Sequence, residues 1–211
     1  MSKKLYVFSG LGADERVFQK LDFTGFSVTF VKWQQPYRNE SIEQYAKRLV
    51  SQITDSRPVL VGLSFGGMVA IEVAKLIETE KVVLLATAKI YREIPFYYRF
   101  FGFLRLHRLL PTGLLKQSNF VTNWFFGATS EFDKNLLKRI LSDTDTVFLK
   151  WAIDKVVAWR NTHQIQNAIH IHGTNDRILP TRFVNCDVKI QGGGHFMTLN
   201  KPEELTEILK Q

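Results

Sequence analysis

Six apolar runs of strand length recur along this chain of 211 residues, and helical patterns separate them. The runs are continuous rather than alternating, which is typical of strands covered on both faces, as in a parallel sheet. Strands that alternate with helices over short connections favour right-handed crossovers and a doubly wound α/β architecture. We predict a mainly parallel sheet with strands at residues 5–10, 28–33, 59–64, 82–87, 168–173 and 188–193.

Helical spacing of apolar residues predicts three helices among and after these strands. The first begins at Ser41, the second at residue 65 or 66, and the third occupies residues 201–211. Between residues 89 and 160 the alternation stops, and the sequence indicates several helices and no strand. We predict one domain over residues 1–211, with residues 89–160 as a helical cap insertion at the carboxyl end of the sheet.

Cysteine content and hydropathy indicate the cellular compartment of the protein. The single cysteine, Cys186, cannot form an internal disulfide bond, which is typical of a reducing environment. No apolar run approaches the roughly 20 residues that span a bilayer. Two lysines precede an apolar stretch at the N-terminus, and we interpret that stretch as the first buried strand rather than a signal peptide. These features predict a cytoplasmic protein.

The positive charge is unevenly distributed. The formal net charge is +8, and residues 89–116 hold six basic side chains against one acid, Glu93. Such a surface favours anionic partners. Apart from its net charge, the sequence holds no motif for nucleic-acid binding, so nucleic acid is not an expected partner.

The segment VLVGLSFGGMVAIEVAKL, residues 59–76, joins a predicted strand directly to a predicted helix. At its centre, GLSFG matches the G-x-S-x-G pattern of a nucleophile elbow. Because this turn is strained, side chains two positions before and after Ser64 would clash, and Gly62 and Gly66 remove them. We predict that Ser64 is a nucleophile on this turn. The alternative is a glycine-rich turn without chemistry.

A nucleophilic serine needs a base and an orienting acid, which in a parallel sheet come from loops after later strands. The segment HGTNDRILP leaves the fifth predicted strand and holds Asp176, and GGGHF leaves the sixth and holds His195. The chain order Ser64, Asp176, His195 is the order of the nucleophile-elbow class. Glu93 is the alternative acid, and we interpret His172 as a residue that orders the loop of Asp176.

With FSGLGAD near the N-terminus, these segments make the chain resemble the α/β-hydrolase superfamily over nearly its whole length. The resemblance implies a compact α/β-hydrolase fold and a serine hydrolase that forms an acyl-enzyme on Ser64. It also implies an oxyanion hole from the backbone N–H groups of Leu11 and Phe65, and neither a metal ion nor an organic cofactor. The family often has His-Gly where this chain has Ser9 and Gly10, so Ser9 is a candidate to replace that histidine's hydrogen bond.

The predicted insertion is rich in aromatic residues, which favours an apolar substrate pocket beneath the cap. The candidate pocket residues are Phe100, Phe101, Trp124 and Phe125. The alternative is that most of these rings only pack the cap onto the core. We expect a carboxylesterase that cleaves an ester or thioester of a small to medium apolar acyl group.

Two other functions stay open. The resemblance includes pimeloyl-carrier-protein methyl esterases, so the basic cap is a candidate docking site for an acidic acyl-carrier protein or a coenzyme A thioester. Alternatively, YRFFGFLRLHRLLP mixes arginines with apolar residues in the manner of an interfacial helix, which suits a non-catalytic module that binds a membrane surface or a protein. The set of Ser64, Asp176 and His195 argues against the non-catalytic function, and membrane contact is not expected.

Overall fold

The computed structural model describes residues 3–109, 111, 113 and 116–210. Leu110, Thr112, Leu114 and Leu115 of the predicted insertion, Gln211 of the last predicted helix, and the first two residues of the predicted domain lie outside this description. The strands of the described residues are β1 Lys3–Phe8, β2 Phe26–Phe30, β3 Val59–Leu63, β4 Lys81–Leu85, β5 Ala168–Gly173 and β6 Val188–Ile190. They pair in parallel in the order β2-β1-β3-β4-β5-β6.

The helices follow in chain order. They are α1 Ile42–Leu49, α2 Phe65–Ala74, α3 Phe96–Phe103, α4 Phe120–Phe126, α5 Glu131–Asp143, α6 Thr146–Ala158, α7 Met197–Asn200 and α8 Pro202–Lys210. Short 3-10 turns occur at Glu15–Phe18, Val50–Gln52, Tyr91–Glu93, Leu106–Leu109 and Thr181–Phe183. Within the described ranges, every helix is too short or too polar to cross a membrane.

The sheet is covered on both faces, which explains the continuous apolar runs in its strands. Along β1, Leu5 and Val7 belong to one hydrophobic cluster, whereas Tyr6 and Phe8 belong to another. Successive side chains of a strand point to opposite faces, so every position must be apolar when both faces are buried. Helices α1 and α2 cover one face, and α5 and α8 contribute to the other. The predicted doubly wound sheet of six parallel strands is confirmed.

The second strand lies two or three residues earlier than predicted. Its register pairs Phe26 with Lys3 and Phe30 with Val7, after which the chain leaves the sheet. Trp33, which the sequence places at the strand end, instead packs against Phe148 with ring centroids 5.4 Å apart. The predicted boundary is wrong because an apolar run continues beyond the last paired residue into an aromatic cluster.

Between β4 and β5, the described residues form helices α3 to α6 and short turns. Helix α3 packs on α6 at Gly102, where an added Cβ would lie 2.5 Å from the Cβ of Val157. Tyr98 of α3 and Ile153 of α6 share a cavity with Ser64, which follows β3. These helices therefore lie over the carboxyl edge of the sheet.

Candidate active site

Ser64 occupies the single residue between β3 and α2, in a backbone conformation that non-glycine residues seldom adopt. Its φ is 54° and its ψ is −122°. The backbone on either side is fixed by the end of β4 and the residues after it. The Ser64 N–H donates to the Leu85 carbonyl at 2.8 Å, and the Thr87 hydroxyl donates to the Ser64 carbonyl at 2.6 Å. The strained turn is therefore built into the sheet.

The glycines around Ser64 are required by close backbone contacts. A Cβ on Gly62 would lie 2.5 Å from the Cα of Gly67, and a Cβ on Gly66 would collide with the Ser9 carbonyl. Backbone atoms cannot move aside cheaply, so a larger side chain at either glycine forces the turn to open. Both glycines of the G-x-S-x-G pattern are thus required for steric reasons.

His195 bridges the serine and the aspartate. Its Nε2 lies 2.9 Å from the Ser64 Oγ, and its Nδ1 lies 2.8 Å from the Asp176 Oδ2. Asp176 comes from the loop after β5, and His195 from the loop after β6. The structure thus brings together three residues that the sequence places on three separate strand ends.

Asp176 is buried and held by hydrogen bonds on both carboxylate oxygens. Oδ1 accepts the N–H groups of Ile178 and Leu179 at 2.9 Å and 2.8 Å. Burial alone would raise its pKa, but the charge and hydrogen bond of His195, with smaller contributions from His172 and the Leu179 N–H, bring the pKa below its ordinary value. The side chain is a carboxylate at neutral pH, and it fixes the orientation of the imidazole.

His172 holds the loop that carries Asp176. Its Nε2 donates to the Leu179 carbonyl at 2.7 Å and lies 3.4 Å from the Asp176 Oδ2. Its Nδ1 lies 3.4 Å from His170, and both imidazoles are fully buried. Burial lowers the pKa of each, that of His170 to about 3, so both rings are neutral at pH 7.

The loop after β1 approaches Ser64 and is held from several sides. A Cβ on Gly10 would lie 3.7 Å from the Ser64 Cβ. The Ser9 hydroxyl donates to the Ala13 carbonyl at 2.6 Å, and the Trp33 indole N–H donates to the same oxygen at 3.2 Å. Ser9 therefore supplies a hydrogen bond that closes this loop. Trp33 is a supporting residue that the sequence analysis missed because it was placed on a strand.

Leu11 and Phe65 line the cavity that also contains Ser64 and His195. In the described part of the chain, no carbonyl or side chain accepts a hydrogen bond from the backbone N–H of Leu11 or of Phe65. Phe65 is the first residue of α2, so its N–H also belongs to the positive end of that helix. Both N–H groups are available to a bound anion or polarised carbonyl.

An apolar cavity of about 320 Å³ opens beside Ser64. Leu137 and Ile140 of α5 and Leu149 and Val156 of α6 form much of its wall. Tyr98 and Phe126 also line the cavity, and the ring of Phe126 lies 5.9 Å from the imidazole of His195. A cavity of this size and polarity accommodates an apolar group next to the serine hydroxyl.

The four aromatic residues predicted to line the pocket do not line this cavity. Phe100, Phe101, Trp124 and Phe125 are exposed to solvent. On α3 the inward side is set by Gly102, which allows close approach to α6 and places Tyr98, one turn earlier, at the cavity. The prediction was wrong because six of the eight residues of α3 are aromatic and lie on several sides of the helix, so composition does not identify the inward side.

Glu93, the alternative acid, is engaged elsewhere. Its carboxylate accepts the backbone N–H groups of Lys89 at 2.6 Å and Asn185 at 3.1 Å. Burial raises its pKa above the ordinary value despite these bonds. His195 pairs with Asp176, so the geometry favours Asp176 as the orienting acid.

The fold is shared with several solved structures. An esterase from Exiguobacterium antarcticum superposes with a TM-score of 0.72 at 17% identity, covering 99% of this chain and 90% of that chain. A bromoperoxidase from Bacillus anthracis gives 0.69 at 18% identity, covering 100% and 91%. A thermophilic esterase from Thermogutta terrifontis gives 0.70 at 16% identity, covering 99% and 88%. At these identities the likeness establishes the fold.

The sequence itself gives the family. None of the curated proteins matches the chain. The profile described as the alpha/beta hydrolase family matches residues 8–208, which include the loop after β1, the elbow and the loops of Asp176 and His195. The strand order, the elbow and this match agree, and the chain belongs to the alpha/beta hydrolase family.

Proposed function

We propose that the protein hydrolyses a carboxylic ester of an apolar acyl group through an acyl-enzyme on Ser64. The observation that carries the proposal is the hydrogen-bonded series from Ser64 through His195 to Asp176 beside an apolar cavity. Family membership and solved structures named as esterases are consistent with ester hydrolysis.

The geometry supports a two-step mechanism. With Nδ1–H donating to Asp176, the Nε2 of His195 is free to accept the proton of the Ser64 hydroxyl as Oγ attacks the carbonyl carbon. The oxygen of the tetrahedral intermediate gains negative charge, which the N–H groups of Leu11 and Phe65 stabilise. When the intermediate collapses, His195 returns the proton to the departing alcohol. In the second step, His195 takes a proton from water, the water oxygen attacks the acyl-enzyme, and the acid is released as Ser64 recovers its proton.

The cavity limits the acyl group. Its volume of about 320 Å³ is at the small end of ligand sites, and its wall is largely aliphatic. A small to medium acyl chain would bury its methylenes there, each contributing about 0.8 kcal/mol. The proposal therefore expects kcat/KM to rise with acyl length until the cavity is filled and to fall beyond that length.

The test combines labelling by a fluorophosphonate with a series of p-nitrophenyl esters and acyl thioesters of increasing chain length. Ser64→Ala is expected to abolish labelling and to lower kcat by about 10⁴-fold or more, because it removes the nucleophile. Ser51→Ala is the matched control, since Ser51 is exposed and its hydroxyl donates to the Arg48 carbonyl, away from the cavity-lining residues. A folded parent protein without labelling or turnover, or a labelled Ser64→Ala variant, would refute the proposal.

A further inference from the structure

The helices between β4 and β5 present many large apolar side chains to solvent. Of the fifteen large apolar residues that are exposed in the described part of the chain, eleven lie between residues 96 and 125. Phe103, Leu109 and Phe120 retain 78%, 77% and 82% of their full exposure. Single exposed apolar residues need no explanation, but a concentration of this kind marks an interaction surface.

The segment 177–183 connects the exposed sides of α3 and α4. The ring of Phe183 lies 6.4 Å from that of Phe96 on α3. Arg177 lies 4.4 Å from the ring of Trp124 on α4 and donates to its carbonyl at 2.7 Å. The result is one surface, which we call the cap face, formed by the exposed side chains within residues 96–109, 120–125 and 177–183.

The charge of the cap face is positive. Arg105 and Arg182 are exposed and form no ion pair with any described residue. Arg99 and Arg177 also form none, but they are half-buried. Arg108 shares Asp154 with His107. Glu93, the acid of the preceding turn, is buried against two backbone N–H groups and offsets none of this surface charge. Protruding apolar side chains and unpaired guanidinium groups therefore occur together.

We propose that the cap face binds an anionic lipid surface. Protruding rings such as Phe103 and Phe120 need an apolar phase that adapts to their shape, and the acyl boundary of a bilayer provides one. Trp124 is suited to the level of the headgroups. Arginines around these rings meet headgroup phosphates, and each contributes about fivefold in affinity.

Other occupants fit the cap face less well. A second copy in a two-fold dimer would bring the same arginines together, and like charges across an interface are unfavourable. An acidic carrier protein would match the charge, but it would need a preformed pocket for each protruding ring to bury it. An anionic bilayer offers phosphates to the arginines and an apolar phase to the rings, and it needs no preformed pockets.

The cap face and the cavity lie on two sides of the same helices. Tyr98 of α3 and Phe126 of α4 line the cavity, whereas Phe103 and Phe120 of these helices are exposed on the cap face. The two helices therefore separate the cap face from the cavity beside Ser64. Binding at the cap face does not depend on the proposed hydrolase function.

The experiment is co-sedimentation of the full chain with vesicles of phosphatidylcholine alone or of an equimolar mixture with phosphatidylglycerol. The parent protein is expected to bind the mixed vesicles and to bind pure phosphatidylcholine far more weakly. Phe103→Ser with Phe120→Ser should weaken binding at least about tenfold through lost apolar burial. Arg105→Gln with Arg182→Gln should weaken it about 25-fold at low salt and much less at high salt.

Two control variants change similar residues at the opposite edge of the sheet. Leu76 follows α2 and Arg57 precedes β3, and both are exposed. Leu76→Ser and Arg57→Gln are expected to bind like the parent. Ser64→Ala should also bind like the parent, which separates vesicle binding from the proposed hydrolase activity.

Three results would overturn the proposal. The first is no binding to the mixed vesicles, and the second is equal binding by the parent and the Phe103→Ser, Phe120→Ser variant. The third is a protein occupant. The parent would then form a dimer in sedimentation velocity or a complex with an acidic carrier protein. The double variant would lose that association but would still bind vesicles.

Discussion

At the scale of single residues, Ser64 shows how the fold holds a strained backbone conformation in place. A non-glycine residue in such a conformation costs about 1–3 kcal/mol, and fixed neighbours must offset it. Leu85 at the end of β4 accepts the Ser64 N–H, and Thr87 just beyond it donates to the Ser64 carbonyl. Gly66 permits the approach of Ser9, whose carbonyl occupies the space of a side chain. The position of the hydroxyl is therefore set by backbone contacts.

Gly66→Ala tests these contacts. The added methyl group meets the carbonyls of Phe8 and Ser9, so we expect a loss of about 3 kcal/mol or more in the free energy of unfolding. That loss corresponds to a fall in Tm of roughly 6–12 °C for a chain of this length. Thermal unfolding followed by circular dichroism measures it.

Gly113→Ala is the matched control for this substitution. A Cβ at Gly113 meets no atom of the described residues within 4 Å, so its Tm should stay close to that of the parent. Equal Tm values for the Gly66 and Gly113 variants would show that the turn does not need its glycine.

At the scale of elements, the walls of the cavity depend on helix rotation rather than on composition. On α6, Ile153 lines the cavity, whereas Val147 of the same helix is exposed. Aromatic residues of α3 and α4 divide in the same way, with Tyr98 and Phe126 inside and Phe100 outside. Acyl specificity is therefore expected to respond to substitutions on the inner sides of α5 and α6.

Ile153→Phe should shorten the preferred acyl chain. The larger ring would occupy space that terminal methylenes use, so kcat/KM for the longest good p-nitrophenyl ester should fall about tenfold while that for the acetate changes little. Val147→Phe enlarges an exposed residue of the same helix and should leave the chain-length profile unchanged. A uniform fall for all esters with Ile153→Phe would mean that the acyl group binds elsewhere.

At the scale of the whole molecule, the sequence predicted the sheet and the residues at its carboxyl edge. Strands buried on both faces must be apolar throughout, so the runs were visible in the sequence, and parallel strands bring their following loops together. This reasoning placed Ser64, Asp176 and His195 correctly relative to the strands. The end of β2 depends on the packing of Trp33, and the inner side of α3 depends on the packing of Gly102. Such tertiary contacts produce no local pattern in the sequence.

The buried histidines beneath the loop of Asp176 make stability depend on pH. Burial, with the charges of His172 and Lys89, lowers the pKa of His170 to about 3 from the ordinary value of 6.5. Below pH 6.5 the unfolded chain therefore binds a proton that the folded protein excludes, and stability falls as pH falls. The pKa of His172 is lowered in the same direction by burial, so it adds to the loss.

His170→Phe removes one of these protons while it keeps a planar ring in the core. Between about pH 7 and pH 5, His170 should account for about 2 kcal/mol of the loss in free energy of unfolding, so the variant should lose that much less than the parent. Urea denaturation at both pH values measures the difference. His163→Phe alters an exposed histidine and should retain the pH dependence of the parent. If the His170 variant lost as much stability as the parent, the folded protein would have to bind a proton at His170, contrary to its burial.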